Sequence, residues 1–124
     1  MAGVKLDGAG AQKMKTIEEA LVTIQTIHGL VERMAIEVKN NKGAGSIPSA
    51  IKRIAVPLQG QLKGQFGPIA DIVSAMILAL GRGGGDQVRV RTAREYVGML
   101  RQALDFAVNK VKKDHSVAIE IAAD

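Results

Sequence analysis

The chain offers two imidazoles, His28 and His115, and no cysteine, so disulfides, thiolate nucleophiles and thiolate metal sites are excluded. His28 falls at the border between an apolar seam and solvent on a predicted helix, beside Gly29. An exposed imidazole on a rigid helix could accept a phosphoryl group by in-line attack. Three and four positions further on, however, stand Val31 and Glu32, and a negative charge one turn away opposes an incoming phosphate. The simpler reading is a boundary histidine without a chemical role. His115 has Asp114 next to it but no further histidine or carboxylate at ligand spacing. A zinc site needs three or four ligands, which two histidines without cysteine do not supply.

The remaining candidates for catalysis are thinner. Glu18 and Glu19 are accounted for by a helix first turn, and Glu32 and Glu37 do not share a helical face. There is no Glu-x-x-His pair of the kind that carboxylate-bridged di-metal bundles use. Ser46, Ser49, Ser74 and Ser116 have no base nearby in sequence. No nucleophile with an activator and no acid–base pair emerges, so the expectation is a non-enzymatic protein with no cofactor, no metal and no small-molecule substrate.

Two features could instead bind. Gly81-Arg82-Gly83-Gly84-Gly85 could cradle a phosphate on backbone amides. But Asp86 follows and would repel an anion, and the Lys-Ser/Thr pair of a nucleotide loop is missing. The run reads better as a loose connection, with Arg82 at its tip. The stronger candidate is a basic row made of Arg82, Arg89, Arg91, Arg94, Arg101 and Lys112. Guanidinium forks match phosphate oxygens, so such a row could track a nucleic-acid backbone. Glu95 and Asp105 stand four residues after Arg91 and Arg101 and could pair with them in an ordinary solvated helix surface. No aromatic side chain is interleaved for base stacking, and no recognition-helix motif appears.

The elements that would position these residues are helical. Ile17, Ala20, Ile24, Ile27, Val31, Met34 and Val38 recur at alternating spacings of three and four, a heptad seam. Thr16-Ile17-Glu18-Glu19 has the form of a capping box and places the helix start at Thr16. Asn40-Asn41-Lys42-Gly43-Ala44-Gly45 ends it. A second helix begins around Ser46 to Ser49, with Ile47, Ile51, Ile54, Leu58, Leu62 and Phe66 as its apolar face. Pro57 in its middle removes one backbone hydrogen bond and should kink or split it. Gly60 and Gly64, flanked by polar residues, are read as a close-packing pair rather than a membrane dimer motif.

Ile69 to Leu80 is apolar at all but Asp71 and Ser74, with Gly67-Pro68 before it and glycines after it. Twelve residues fall short of the roughly 20 needed to span a bilayer. The segment is therefore a buried helix; its apolar circumference points to burial by a second copy or another protein, with wrapping by the chain's own long helices and tail as the alternative. Ile69, Ile72, Val73, Met76, Ile77 and Leu80 form the candidate interface. The last segment repeats the three-four pattern through Val90, Ala93, Val97, Leu100, Leu104, Ala107 and Val111. Residues 87–92 alternate like a strand as well, and the longer helix, with Asp86 as a cap, is the preferred reading. Residues 116–122 alternate too, which fits a strand, a docking arm or an extension of the last helix alike.

At 124 residues and 47% hydrophobic the chain is one globular domain, and with 2% aromatic residues its core must be aliphatic. The first fifteen residues lack the apolar core of a secretory signal, and the composition fits a cytoplasmic protein. The expected fold is all-α: an antiparallel four-helix bundle over residues 16–115, with a flexible N-terminal arm over 1–15, a kinked second helix and a short C-terminal tail over 116–124. The expected function is that of a small interaction module, an adaptor, scaffold or structural subunit, acting as a homodimer or inside a larger complex. The alternative is a small basic helical subunit on nucleic-acid backbone within a ribonucleoprotein or DNA-binding complex. The formal charge of +5 agrees with that alternative but also serves solubility.

Overall fold

The computed structural model describes residues 5–82 and 84–117. It is an all-α four-helix arrangement: α1 (Gly8–Lys39), α2 (Ile47–Lys63), α3 (Gly67–Gly81) and α4 (Asp86–His115). Each helix packs on its sequence neighbours, and α4 closes the ring on α1, while the backbones of the diagonal pairs stay apart. The short links make successive helices antiparallel. Contacts from Asp7 to His115, Gln25 to Arg101 and Glu32 to Arg94 show that α1 and α4 are antiparallel as well.

Both heptad seams form the core. Ile17, Ala20, Ile24, Ile27, Val31 and Met34 from α1 meet the whole α4 seam, all buried, with Val38 partly buried at the rim. Ile51, Ala55, Leu58 and Leu62 enter from α2. α2 runs through Pro57 as one continuous helix. Gly60 and Gly64 face solvent with open space around them, so the close packing expected of that pair is absent; no neighbouring backbone comes near. Residues 87–92 are helical, because Val90 and Ala93 join the seam and burial there outweighs the strand-like alternation.

α1 begins eight residues before Thr16, so residues 8–15 of the expected arm are helix. The true N-cap is Asp7, whose carboxylate accepts from the Gly10 amide at 2.6 Å. Thr16 sits inside the helix, and its hydroxyl donates to the Gln12 carbonyl instead of capping. The end of α4 makes the extra turns worth forming. Asp7 N–H donates to the His115 carbonyl and Val117 N–H to the Lys5 carbonyl, with Leu6 bridging antiparallel to Ser116. Ser116 is extended, so the helix does not continue into the tail; residues 118–124 lie outside the described range.

The lengths are unequal. At 1.5 Å per residue, α1 and α4 run about 48 and 45 Å, whereas α2 and α3 reach only about 26 and 22 Å. The short pair cannot cover the long pair from end to end.

Candidate functional site

On the basic row, three of the six cations are tied to the chain's own groups. Arg94 grips Glu32 of α1 with both ends of its fork, at 2.8 and 2.7 Å. The Arg94 hydrogen bond holds the Glu32 carboxyl below its ordinary value, helped by the charges of Arg94 and His28, and the Arg94 guanidinium is raised in return. Arg101 donates to the Gln25 side chain at 2.6 Å. Arg89 folds back on Asp86 and the Arg82 carbonyl, and its Nε is buried without a partner. The pairing expected within α4, Arg91 to Glu95 and Arg101 to Asp105, is not what forms: Arg94 and Arg101 reach across to α1, where side chains one helix diameter away meet them. Among the described residues, Arg82, Arg91 and Lys112 make no ion pair within 4 Å.

Asp86 does not cap its own helix. It is the first residue of α4 and accepts from the Ala44 amide at 3.1 Å, which ties the α1–α2 loop to the start of α4. Gly43, at φ +75°, provides the left-handed turn that brings Ala44 there. The residues flanking the glycine run therefore serve the fold.

At the opposite end lies a cluster that local sequence did not disclose. His115 Nδ1 faces the Asp7 carboxylate at 3.1 and 3.3 Å, and its Nε2 faces Lys13 Nζ at 3.3 Å. The Gly10 amide is the main reason the Asp7 carboxyl lies below its ordinary value, with His115 and Lys13 adding to it against partial desolvation. Since an ammonium can only donate, in the neutral ring Nε2 accepts from Lys13 and Nδ1–H donates to Asp7. The lone pair that a general base would use is thereby occupied. An Asp followed by two residues and an amide-exposing Gly was a readable N-cap signal, but its partner is 108 residues away.

His28 is half-buried on α1 beside Glu32. Among the described residues, no three of His, Asp and Glu converge as a metal site. No helix there is long and apolar enough to cross a membrane.

The candidate interface on α3 divides. Ile69, Val73, Met76 and Leu80 are buried by the chain's own helices, so these four form core and not an open surface. Ile72 and Ile77 are half-buried, and Leu78 is 64% exposed on the outer side. Ser74, one of the two polar breaks in that helix, bonds Gln59 of α2 and the Ala70 carbonyl.

Sequence reading missed the outer flank of α4. Met99 is 47% and Phe106 75% exposed, with Val88 on the same side of the helix. Beside Phe106 opens a cleft of about 330 Å³ lined by Phe66, Pro68, Ile69, Ala103 and Ala107, where the α2–α3 turn stops short of the long helices. A larger hollow of about 770 Å³ lies between α1 and α4, but its Arg94 and Glu32 neutralise each other. No family model, curated protein or solved structure matches this chain.

Proposed function

We propose that the chain is a non-enzymatic helical interaction module, an adaptor, scaffold or structural subunit, that self-associates or is held in a larger complex in the cytoplasm. The observation that carries this reading is the uncovered apolar flank of α4 at Met99 and Phe106, continuous with the cleft above the α2–α3 turn. Water against so large an aromatic surface is unfavourable, at about 25 cal/mol per Å², and a partner relieves it. The site with the most chemical groups, Asp7–His115–Lys13, is spent on joining the start of α1 to the end of α4.

The rival, a basic subunit on nucleic-acid backbone, draws support from Arg82, Arg91 and Lys112. They are spread along some 45 Å of α4 and its entrance, and their neighbours Arg89, Arg94 and Arg101 are already engaged. Light scattering coupled to size exclusion, at about 0.15 M salt with and without a mixed-sequence oligonucleotide, separates the two. The module reading expects a dimer or larger species indifferent to the oligonucleotide. A salt-sensitive shift onto the oligonucleotide would replace it with the rival.

A further inference from the structure

Among the described residues, the exposed large apolar ones on and after α4 are Val88, Met99, Phe106 and Val117. Their spacings are 11, 7 and 11, the same read from either end. At about 100° per residue, steps of 7 and 11 both return to nearly the same side of a helix, so Val88, Met99 and Phe106 share one flank. Val117 follows just beyond the last turn. Within the helix, Met99 and Phe106 lie equally far from the Gln102–Ala103 midpoint, as do Glu95 and Lys110, so an antiparallel copy sets each against its counterpart, the condition for a two-fold interface.

We propose that this flank is the contact surface for a second copy of the chain, with α4 packed antiparallel on α4 about a two-fold axis between Gln102 and Ala103. The proposal rests on the interaction-module reading and names its partner. That axis sets Met99 against the partner's Phe106, twice. The charges follow the same symmetry. Glu95 and Lys110, exposed one turn outside the apolar pair at either end, come face to face with opposite signs. Two equivalent ion pairs thus bracket two equivalent apolar contacts, while the reverse, parallel pairing would set like charges together.

The cleft adds a receptor. Met99 of the partner arrives at the level of Phe106, over the hollow lined by Phe66, Pro68 and Ala103. An unbranched thioether fills such an irregular gap well. Two adjustments are needed, both on exposed groups. Lys110 must turn from Asp114, 3.2 Å away in the same helix, and Glu95 must lean from the edge of the α1–α4 groove.

The test is a charge swap on the full chain, read by sedimentation equilibrium, with helix content followed by circular dichroism. Glu95→Lys and Lys110→Glu each turn two attractive pairs into two repulsive ones and should weaken the dimer about tenfold or more. The double variant Glu95→Lys/Lys110→Glu restores the pairs in mirror order and should recover the wild-type constant. A wild-type dimer that ignores both single changes would overturn this register and leave self-association standing through another face. A wild-type monomer at every concentration would overturn the register and self-association together.

Discussion

Adding one methyl group at two glycines of the same helix should move stability in opposite directions. Gly29 lies on the exposed side of α1, with nothing within 4 Å of where a Cβ would stand. Gly29→Ala therefore gains the helix propensity difference of up to about 1 kcal/mol, raising the melting temperature by about 3–5 °C for a chain of this size. Gly10 is buried against α4. A Cβ there would overlap the His115 Cβ and crowd His115 Cγ at 3.1 Å and Asp7 Oδ1 at 3.2 Å. His115 Cβ is fixed to the α4 backbone, so the end of α4 itself must shift. Overpacking of this kind costs about 1–3 kcal/mol, against a propensity gain below about 1 kcal/mol in the first turn, for a net loss of up to about 3 kcal/mol. Thermal unfolding followed at 222 nm reads the sign of each change. Hydrogen exchange locates it, because the Asp7 and Val117 amides, bonded to His115 and Lys5, should lose protection only in Gly10→Ala. If Gly10→Ala melts higher than wild type, as Gly29→Ala should, the first turns of α1 are not docked on α4 and this part of the fold is mistaken.

Other substitutions probe the core, the electrostatics and the second helix. Met76, fully buried, should cost about 2–5 kcal/mol as Met76→Ala, and Met76→Asp should unfold the monomer outright, measured by urea denaturation. The Asp7 and Glu32 carboxyls both lie below their ordinary values of 3.8 and 4.5, so the folded chain binds fewer protons there than the unfolded one. Their stabilisation is complete above those values and lost as pH falls through the lower folded ones; Glu32→Gln should flatten that acid limb of the stability curve. Pro57 is exposed and leaves the Arg53 carbonyl without its helix donor. Pro57→Ala should stabilise by about 2 kcal/mol, the propensity gain less the entropy returned to the unfolded chain, visible as a higher melting temperature.

The heptad seams were legible because burial on a helix repeats every three or four residues, and that period is written directly in Ile17 to Met34 and Val90 to Val111. What crosses between helices was not. Glu32 and Arg94 are 62 residues apart, and nothing local distinguishes that pairing from Arg91 with Glu95. The start of α1 was misplaced because Thr16 to Glu19 has the pattern of a cap, while the turns before it are held by His115, 108 residues from Asp7. For α3, composition correctly announced burial but could not say by what, and four of its six large residues are covered within the chain. The outer flank of α4 escaped notice because Met99 and Phe106 sit one heptad apart among the polar Glu95, Gln102 and Lys110 of the exposed face. It stands out only once the inner seam has claimed the other face.

The α4 flank can be probed most directly by placing a thiol on its proposed axis in a chain that otherwise has none. Gln102 is exposed and next to that axis. Under mild oxidation or with a short thiol cross-linker, Gln102→Cys should form a covalent dimer much faster than Val22→Cys on the outside of α1. Equal, slow cross-linking of both variants would contradict the assignment of α4 as the surface that joins two copies.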